Sequence, residues 1–424
     1  MARWNTIARG AAFAAVASLA LAACSSSGDD DSTGPTASGD GGGTSSDGLK
    51  IGSLLPLTGS LAFLGPPEVA GVELAAKEIN DAGGIFDSNV EIIHQDSSDT
   101  DNPQIAAQSV SALIADEVAA IVGAASSSVS LNVVDDIANA GIVQISPANT
   151  STALSGYSPF YFRTAPPDTV QGSALGNLIV NDGIQKLGVL VFADDYGTSL
   201  RDVVQGVVEE NGGEITYGKA GDEFQTDASN FESIVQDVIA TQPDGILVIA
   251  FDQTKNIIPA LVGAGYPADK LYFTDGNTAD YSADFEAGVM TGAKGTIPGA
   301  NPSDDFKALL DDVNGGKLDS YAYGAESYDA TMLVALAALK GEGTDGQTVA
   351  DNLAAVSGAN GGTECTGWVE CSELILAGED IIYQAVAGVG PFNEDNDPAS
   401  AYVGVYVFDD ANVPQWTEAV YGEV

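Results

Sequence analysis

Residues 119–150, AAIVGAASSSVSLNVVDDIANAGIVQISPANT, decide the fold. The opening run, 119–125, is short and apolar enough for a strand buried on both faces of a parallel sheet, and it breaks at Gly123 into Ser126, Ser127 and Ser128. Serine is a preferred helix N-cap, and Val129, Val133, Val134, Ile137 and Ala140 recur at helical spacing until Gly141 stops the run. Strand, hydroxyl-bearing turn and helix in this order set the unpaired N–H groups of a first helical turn at the carboxyl edge of a sheet, where open α/β sheets bind ligands. A small carboxylate fits such a seat; on the sequence alone the serines serve equally well as a plain helix cap. The next strand, 141–145, ends in Ser146-Pro147-Ala148-Asn149-Thr150 and brings a second set of hydroxyl and backbone groups to the same edge.

Outward from this unit the same alternation continues on both sides. Before it, LKIGSLLPLTG from Leu49 reads as a strand ending in a Pro/Gly loop, 66–82 as a helix with Val69, Val72, Ala76 and Ile79 inward, 90–94 as a strand and 103–115 as a helix. After Tyr161-Phe162-Arg163-Thr164 it restarts, with helices over 169–180, 200–211, 231–240 and 255–264 and strands over 187–193, 214–217, 245–251 and 271–274. Such alternation predicts an α/β chain of two doubly wound parallel-sheet lobes joined by a hinge, with a small-molecule cleft where their strand carboxyl ends meet. A strand over 294–297 leads to helices over 303–313, 326–339 and 349–356, expected to return to the first lobe. Lobe 1 is then 49–164 plus about 298–380, and lobe 2 is 165–297 plus about 381–424, with a strand over 402–408.

Among 424 residues, 14 Lys and Arg face 60 Asp and Glu, and a net charge of -46 argues against nucleic acid or an anionic membrane surface as partner. Arg3 and Arg9 precede the apolar run 11–23, which is too short and alanine-rich for a good membrane span and reads as an export signal, 1–23. Leu21-Ala22-Ala23-Cys24 resembles the bacterial lipoprotein box, which implies a lipid on Cys24 as the first mature residue. Residues 25–48 carry no large apolar side chain, so 24–48 is expected to be a flexible Ser/Gly/Asp tether. Cys365 and Cys371 close a short loop in an exported chain, where a disulfide is expected; a free redox pair or a metal site is the alternative.

Little here suggests catalysis. His94 is the one histidine, lies in a strand and stands beside no nucleophile motif. Asn393, Asp395 and Asp397 alternate as in a calcium loop, but Pro398 stands where glycine is needed and Gly404 where a bidentate glutamate is needed, so the segment reads as a solvated turn. Asp96, Asp99 and Asp101 lack that spacing altogether. No catalytic residue, metal or cofactor is expected.

Several motifs together resemble one family: IGSLLPLTGSLAFLG followed by GVELAAKEINDAGGI, then IVGAASSSVS, GIVQISPANTS, YFRTAPPD, LVFADDYGTSL and YDATMLVALAAL. Over nearly all of 49–424 the chain resembles the extracytoplasmic substrate-binding proteins of ABC importers for branched-chain amino acids, with the type I periplasmic-binding fold. The resemblance implies a monomeric receptor that carries a small zwitterion, an aliphatic amino acid, to ABC permease subunits. Ser126, Ala148 and Thr150 would grip the carboxylate and ammonium from the first lobe. The second lobe would add Tyr196, the aromatic Phe251 and an acidic partner for the ammonium, Asp275. Phe63 or Leu64, in the loop 58–65, would line the side-chain pocket. The chain departs from the family pattern at Ala148-Asn149-Thr150, where Gly-Ala-Thr is frequent, and at Pro66-Pro67 after the covering loop. An amide, urea or aromatic acid as ligand, a sensory role, and a surface hydrolase are the alternatives.

Overall fold

The computed structural model describes residues 48–424; residues 1–47, with the expected export signal, Cys24 and all of the tether but Gly48, lie outside the described residues. The chain begins with β1 (Lys50–Leu55), α1 (Gly65–Asp81), β2 (Glu91–Asp96), α2 (Pro103–Ala115), β3 (Ala120–Gly123), α3 (Ser127–Asn139), β4 (Val143–Ser146) and β5 (Tyr161–Arg163). It continues through α4 (Asp168–Asn181), β6 (Lys186–Val191), α5 (Asp195–Glu210), β7 (Glu214–Tyr217), α6 (Glu232–Ala240), β8 (Gly245–Ile249), α7 (Thr254–Gly263), β9 (Leu271–Phe273) and β10 (Lys294–Pro298). The last part is α8 (Asp304–Asn314), α9 (Gly324–Gly341), α10 (Gly346–Ser357), β11 (Thr363–Cys365), α11 (Gly367–Leu376), β12 (Ile381–Tyr383), β13 (Ser400–Phe408) and β14 (Pro414–Glu423). Among the described residues no helix is long and apolar enough to cross a membrane.

Two main sheets result. The first has the order β2-β1-β3-β4-β5 and is parallel throughout. The second has the order β14-β13-β10-β9-β8-β6-β7, parallel from β10 to β7, with β13 and β14 added antiparallel at one edge. β3 and β4 are wholly buried because both faces of their sheet are covered. Val110, Leu113, Val129 and Val133 of α2 and α3 fill one side, and Val72, Ile79, Leu333, Leu336 and Leu353 of α1, α9 and α10 the other. β3 ends at Gly123, which only glycine can occupy: its φ is 126° and an added Cβ would stand 2.1 Å from the Leu54 carbonyl oxygen.

Helices α8 to α11 join the first sheet's core through Phe306, Leu310, Val349, Trp368 and Cys371, with α9 and α10 against the sheet, α8 against α1 and α11 against α9. Cys365 and Cys371 are joined in a disulfide with a Cα–Cα distance of 5.2 Å. The return to the second sheet comes with β13, later than the expected 381, because Ile381, Tyr383, Ala387 and Phe392 still fill the first core. β5, the pair β11–β12 and β14 are strands that the periodicity did not announce. α5 starts at Asp195, ahead of the expected 200, because the Asp194 carboxylate caps it by accepting from the Tyr196 amide.

Where the chain passes between the sheets, buried charge decides the packing. Arg163, fully buried at the end of β5, donates through Nε and Nη2 to the two oxygens of Asp397 at 2.5 and 2.8 Å. Its other N–H groups reach the carbonyls of Asn149 (3.3 Å) and Ser151 (2.9 Å) and the Ser155 hydroxyl (2.6 Å). All five guanidinium donors are therefore matched, which is what a charge out of water requires. Asp397 is thus no solvated turn residue: it is 1% exposed and bound to a cation 234 residues away in sequence. Asp168, opening α4 just past the Thr164 crossing, is also fully buried. Burial pushes its carboxyl up to about 7, while the nearby Ser199 and Thr150 hydroxyls temper the rise without forming well-aligned hydrogen bonds.

Two outcomes follow from these carboxyls. Asp397→Asn breaks a buried pair and leaves a guanidinium unpaired, so the urea midpoint should fall by the equivalent of about 3 kcal/mol. Asp168 binds its proton more tightly folded than unfolded, so its contribution to stability is full below about pH 4 and is lost as pH rises through about 7. Asp168→Asn should therefore be more stable than the parent, by a margin that grows by roughly 2 kcal/mol between pH 5 and pH 8 in urea titrations.

Candidate functional site

The carboxyl ends of β3 and β4 face those of β6, β8 and β9 across a seam that holds a narrow cavity of about 10 Å³. From the first sheet it is lined by Ala125, Ser126 and Ser127 at the start of α3 and by Ala148 after β4. Tyr196, Phe251, Asp275 and Gly276 come from the second sheet, Leu61 and Leu64 from the loop after β1, and Tyr323 from the turn before α9. The apolar members, Ala125, Ala148, Leu61, Leu64 and Tyr323, belong to one hydrophobic cluster with the second sheet's core. The seam is closed.

The serine run divides its work. The Ser126 hydroxyl caps α3 by accepting from the Val129 amide at 3.3 Å, and Ser127 accepts the amides of Thr150 and Ser151, tying the loop after β4 to the helix start. Ser128 reaches across the seam, donating to Asp195 Oδ2 and accepting from the Asp195 amide, both at 3.0 Å. Ser130 turns back into the core, where Gln144 Nε2 and the Ala124 amide donate to it. Of the first-turn N–H groups of α3, Val129 and Ser130 are taken by Ser126, so the Ser127 and Ser128 amides and the Ser126 hydroxyl proton remain for an acid group at the cavity wall.

Opposite stands Asp275. Tyr196 directs its hydroxyl at Oδ1 (2.7 Å) and at Thr274 Oγ1, Gln171 Nε2 donates to Oδ1 at 2.7 Å, and Tyr323 donates to Oδ2 at 2.7 Å. A carboxylate has about four acceptor positions, so Oδ2 keeps one for a further donor. Burial raises the Asp275 pKa, and the donors of Tyr323, Gln171 and Tyr196 oppose that rise. Phe251 stacks on Tyr196 (centroids 5.5 Å apart, 20° between planes) and meets Phe192 edge-on at 4.7 Å. It also sits against Gly276, where an added Cβ would stand 2.7 Å from its ring.

The loop over the cavity is pinned by acids at the end of β2. The amides of Leu57 and Thr58 donate to Asp96 Oδ1 and the Thr58 hydroxyl to Asp96 Oδ2, while the Ser60 amide donates to Asp99 Oδ2. Asp101 accepts from Thr226 at 2.7 Å, and Asp194 from Thr100 at 3.1 Å, so hydroxyl–carboxylate pairs bridge the sheets at the rim. These acids hold polypeptide, and among the described residues no group of three or more His, Cys, Asp or Glu could hold a metal.

The cavity thus gathers Ser126, Ala148, Tyr196, Phe251, Asp275 and Leu64 of the expected residues. Two others lie apart. Thr150 is fully buried with its hydroxyl beside Asp168, away from the lining. Phe63 lines a separate groove with Pro66, Pro67 and Ala279. Leu61 and Tyr323 were missed, since loop residues carry no periodic signal, and of the serine run only Ser126 was assigned to the ligand although Ser127 lines the cavity as well.

His94 has neighbours that the sequence did not show: Nδ1 lies 2.6 Å from Ser53 Oγ and Nε2 2.7 Å from Glu73 Oε1. The hydrogen bond from His94 holds the Glu73 carboxyl below its usual range. The chain of contacts has the order of a hydrolytic triad, but Ser53 is 0% exposed inside β1, so no substrate carbonyl can reach its hydroxyl.

The sequence profile of the periplasmic binding protein family matches residues 48–369. A Pseudomonas aeruginosa relative, the "leucine-, isoleucine-, valine-, threonine-, and alanine-binding protein", is 31% identical over 170 residues, 39% of this chain and 44% of that protein, so the match spans less than half the relative's length. Among solved structures, the substrate-binding protein LivJ of a Streptococcus pneumoniae branched-chain amino acid transporter, bound to isoleucine, superposes with a TM-score of 0.71 at 22% identity, covering 89% of this chain and all of that one. A Rhodopseudomonas palustris solute-binding protein of an ABC transporter, bound to 4-hydroxybenzoate, gives 0.72 at 16% identity, covering 89% and 98%.

Proposed function

We propose, on the premise that this chain belongs to the periplasmic binding protein family, that it is a receptor for a small zwitterion, an aliphatic amino acid foremost, which it delivers to the permease of an ABC importer. One observation carries the reading: a single narrow cavity sets a helix N-terminus with serine hydroxyls opposite a buried carboxylate that has one acceptor position open. The α-carboxylate would lie against Ser126, Ser127 and the first turn of α3. The ammonium would donate to Asp275 Oδ2, because a cation out of water needs a charged partner. Leu61, Leu64 and Phe251 would enclose an aliphatic side chain. No Lys or Arg lines the cavity, so the solute must bring its own positive charge to balance Asp275.

In this reading the lobes are the two sheets with their helices, hinged where the chain crosses near Thr164, Gly299 and Ser400, and solute favours the closed arrangement. Export and a lipid on Cys24 would hold the receptor outside the cytoplasm beside its permease. An aromatic acid is the second reading, favoured by the stacked Tyr196 and Phe251 rings; it leaves Asp275 without a cationic partner.

The test is thermal unfolding and calorimetric titration of the full-length protein with the proteinogenic amino acids and a set of benzoates. A cognate amino acid at a hundred times its Kd should stabilise the fold by about 2.7 kcal/mol. Asp275→Asn should weaken that amino acid by roughly tenfold or more while leaving any benzoate affinity unchanged or improved. Benzoates binding the parent in preference to every amino acid would establish the second reading, and unchanged amino-acid affinity in Asp275→Asn would overturn the first.

A further inference from the structure

Two carboxyls that the site does not use lie buried beside the crossing strands. Glu68, in the first turn of α1, is 0% exposed, and neither of its oxygens meets a hydrogen-bond partner. Glu326, in the first turn of α9, is 3% exposed and is the acid that acts on Glu68. Glycine lets the two helix starts close on one another: a Cβ added to Gly71 would stand 2.1 Å from the Gly324 carbonyl oxygen. Pro66 and Pro67, at the head of α1, have no N–H to offer an acid.

Glu326 is also where the crossing strands meet. On the first crossing, the Thr164 hydroxyl donates to the Glu326 carbonyl at 2.8 Å. On the second, Gly299 (φ 97°) lies so close to the carboxyl that an added Cβ would stand 2.0 Å from Oε1. Gly299 donates in turn to the Tyr402 carbonyl of β13, the third crossing. Farther along β13 the Tyr406 phenol is pushed up to about 12, by burial first and then by Glu326. The other titratable groups that face Glu326 are Tyr323, which donates to Asp275, and Asp329, which is held by the Tyr383 hydroxyl and the amides of Val386 and Ala387. Among the described residues no cation acts on either glutamate. Lys307, on the same groove as Glu326, engages Asn301 Oδ1 at 2.8 Å and the Tyr321 ring instead.

Two carboxylates out of water, with neither a cation nor a matching set of donors, cannot both stay ionised. We propose that Glu68 and Glu326 hold a proton between them in the folded protein and that its loss loosens the hinge, so that lobe movement answers to external pH. The inference rests on the hinged lobes of the reading above and not on the solute. Burial raises both carboxyls well above their usual range; Glu326 adds to the rise of Glu68 and Asp329 to that of Glu326, while the main-chain amide of Glu326 opposes its own. Once both ionise, only Glu326 has an outlet, because it lines a groove open to solvent. Turning into that groove takes its carboxyl off Gly299, and the second crossing loses the surface it rests on.

The test needs no solute. The full-length protein, Glu68→Gln, Glu326→Gln and the double variant would be unfolded in urea from pH 5 to pH 9 and followed by hydrogen exchange over the same range. A proton bound more tightly in the folded state stabilises fully below the ordinary carboxyl range, and that stabilisation is lost as pH rises through the folded value. The parent should therefore lose stability relative to the double variant as pH rises, by about tenfold or more in the unfolding equilibrium. Asp168 and Asp329 titrate in both proteins and cancel. Each single variant, which serves if the double variant does not fold, should show part of the divergence. Peptides containing Thr164 and Gly299 should speed up in the parent relative to the double variant by roughly threefold more than β3 does. Parallel urea profiles would overturn the shared proton, and divergent profiles with no excess exchange at the crossings would overturn its link to the hinge. A parent profile that follows sodium concentration rather than pH would put a bound cation in the proton's place. Failure of every amino acid to bind, in the titrations described above, would overturn the solute assignment alone.

Discussion

A guanidinium removed from water must have every N–H answered, and in this protein that requirement fixes the site. Arg163 is held by both oxygens of Asp397, two main-chain carbonyls and one hydroxyl. Those partners come from separate pieces of chain: the loop after β4, which carries Ala148, and the segment that leads into β13. The loop is held a second time at the start of α3, through Ser127, so the two first-sheet edges of the cavity cannot drift apart without breaking buried bonds. The cradle's geometry is therefore set by charge satisfaction behind it as much as by the residues that face it.

The electrostatics of the cavity follow from the same scarcity of cations. With 60 acidic against 14 basic residues, the chain offers no Lys or Arg to the lining, and a negative group there meets oriented amides and hydroxyls instead. On the facing wall Asp275 is surrounded by phenol and amide donors that hold it in place without neutralising it. In the proposed reading such an arrangement would discriminate by charge pattern: a bare acid would find its seat but leave Asp275 uncompensated, and a bare amine would find Asp275 but leave the helix end empty.

Much of this was legible in the sequence. The strand–serine–helix unit was clear because β3 is apolar, Ser126 caps the next element and the α3 positions recur at helical spacing. Residues whose role depends on partners remote in sequence were not. Asp397 looked like a solvated turn residue because nothing near it announces Arg163, and Tyr323, 48 residues from Asp275, sits in a turn without periodicity. Thr150 was placed at the right strand end, yet its side chain turns toward Asp168, since the loop's tie to Ser127 runs through its backbone amide. β14 escaped notice because it is an edge strand whose residues mostly face water.

The contacts that bridge the rim of the seam, Ser128 with Asp195, Thr100 with Asp194, Thr226 with Asp101 and Thr152 with Ser199, are all polar. Parting them would exchange hydroxyl and amide partners for water at small net expense, and the apolar surface uncovered would lie behind the rim, at Leu61, Leu64, Ala125 and Ala148. Such a rim works as a zip rather than a weld. In the proposed reading, how long the mouth stays shut would be governed by what it holds, and an emptied receptor would have little at its lips to keep it from opening again.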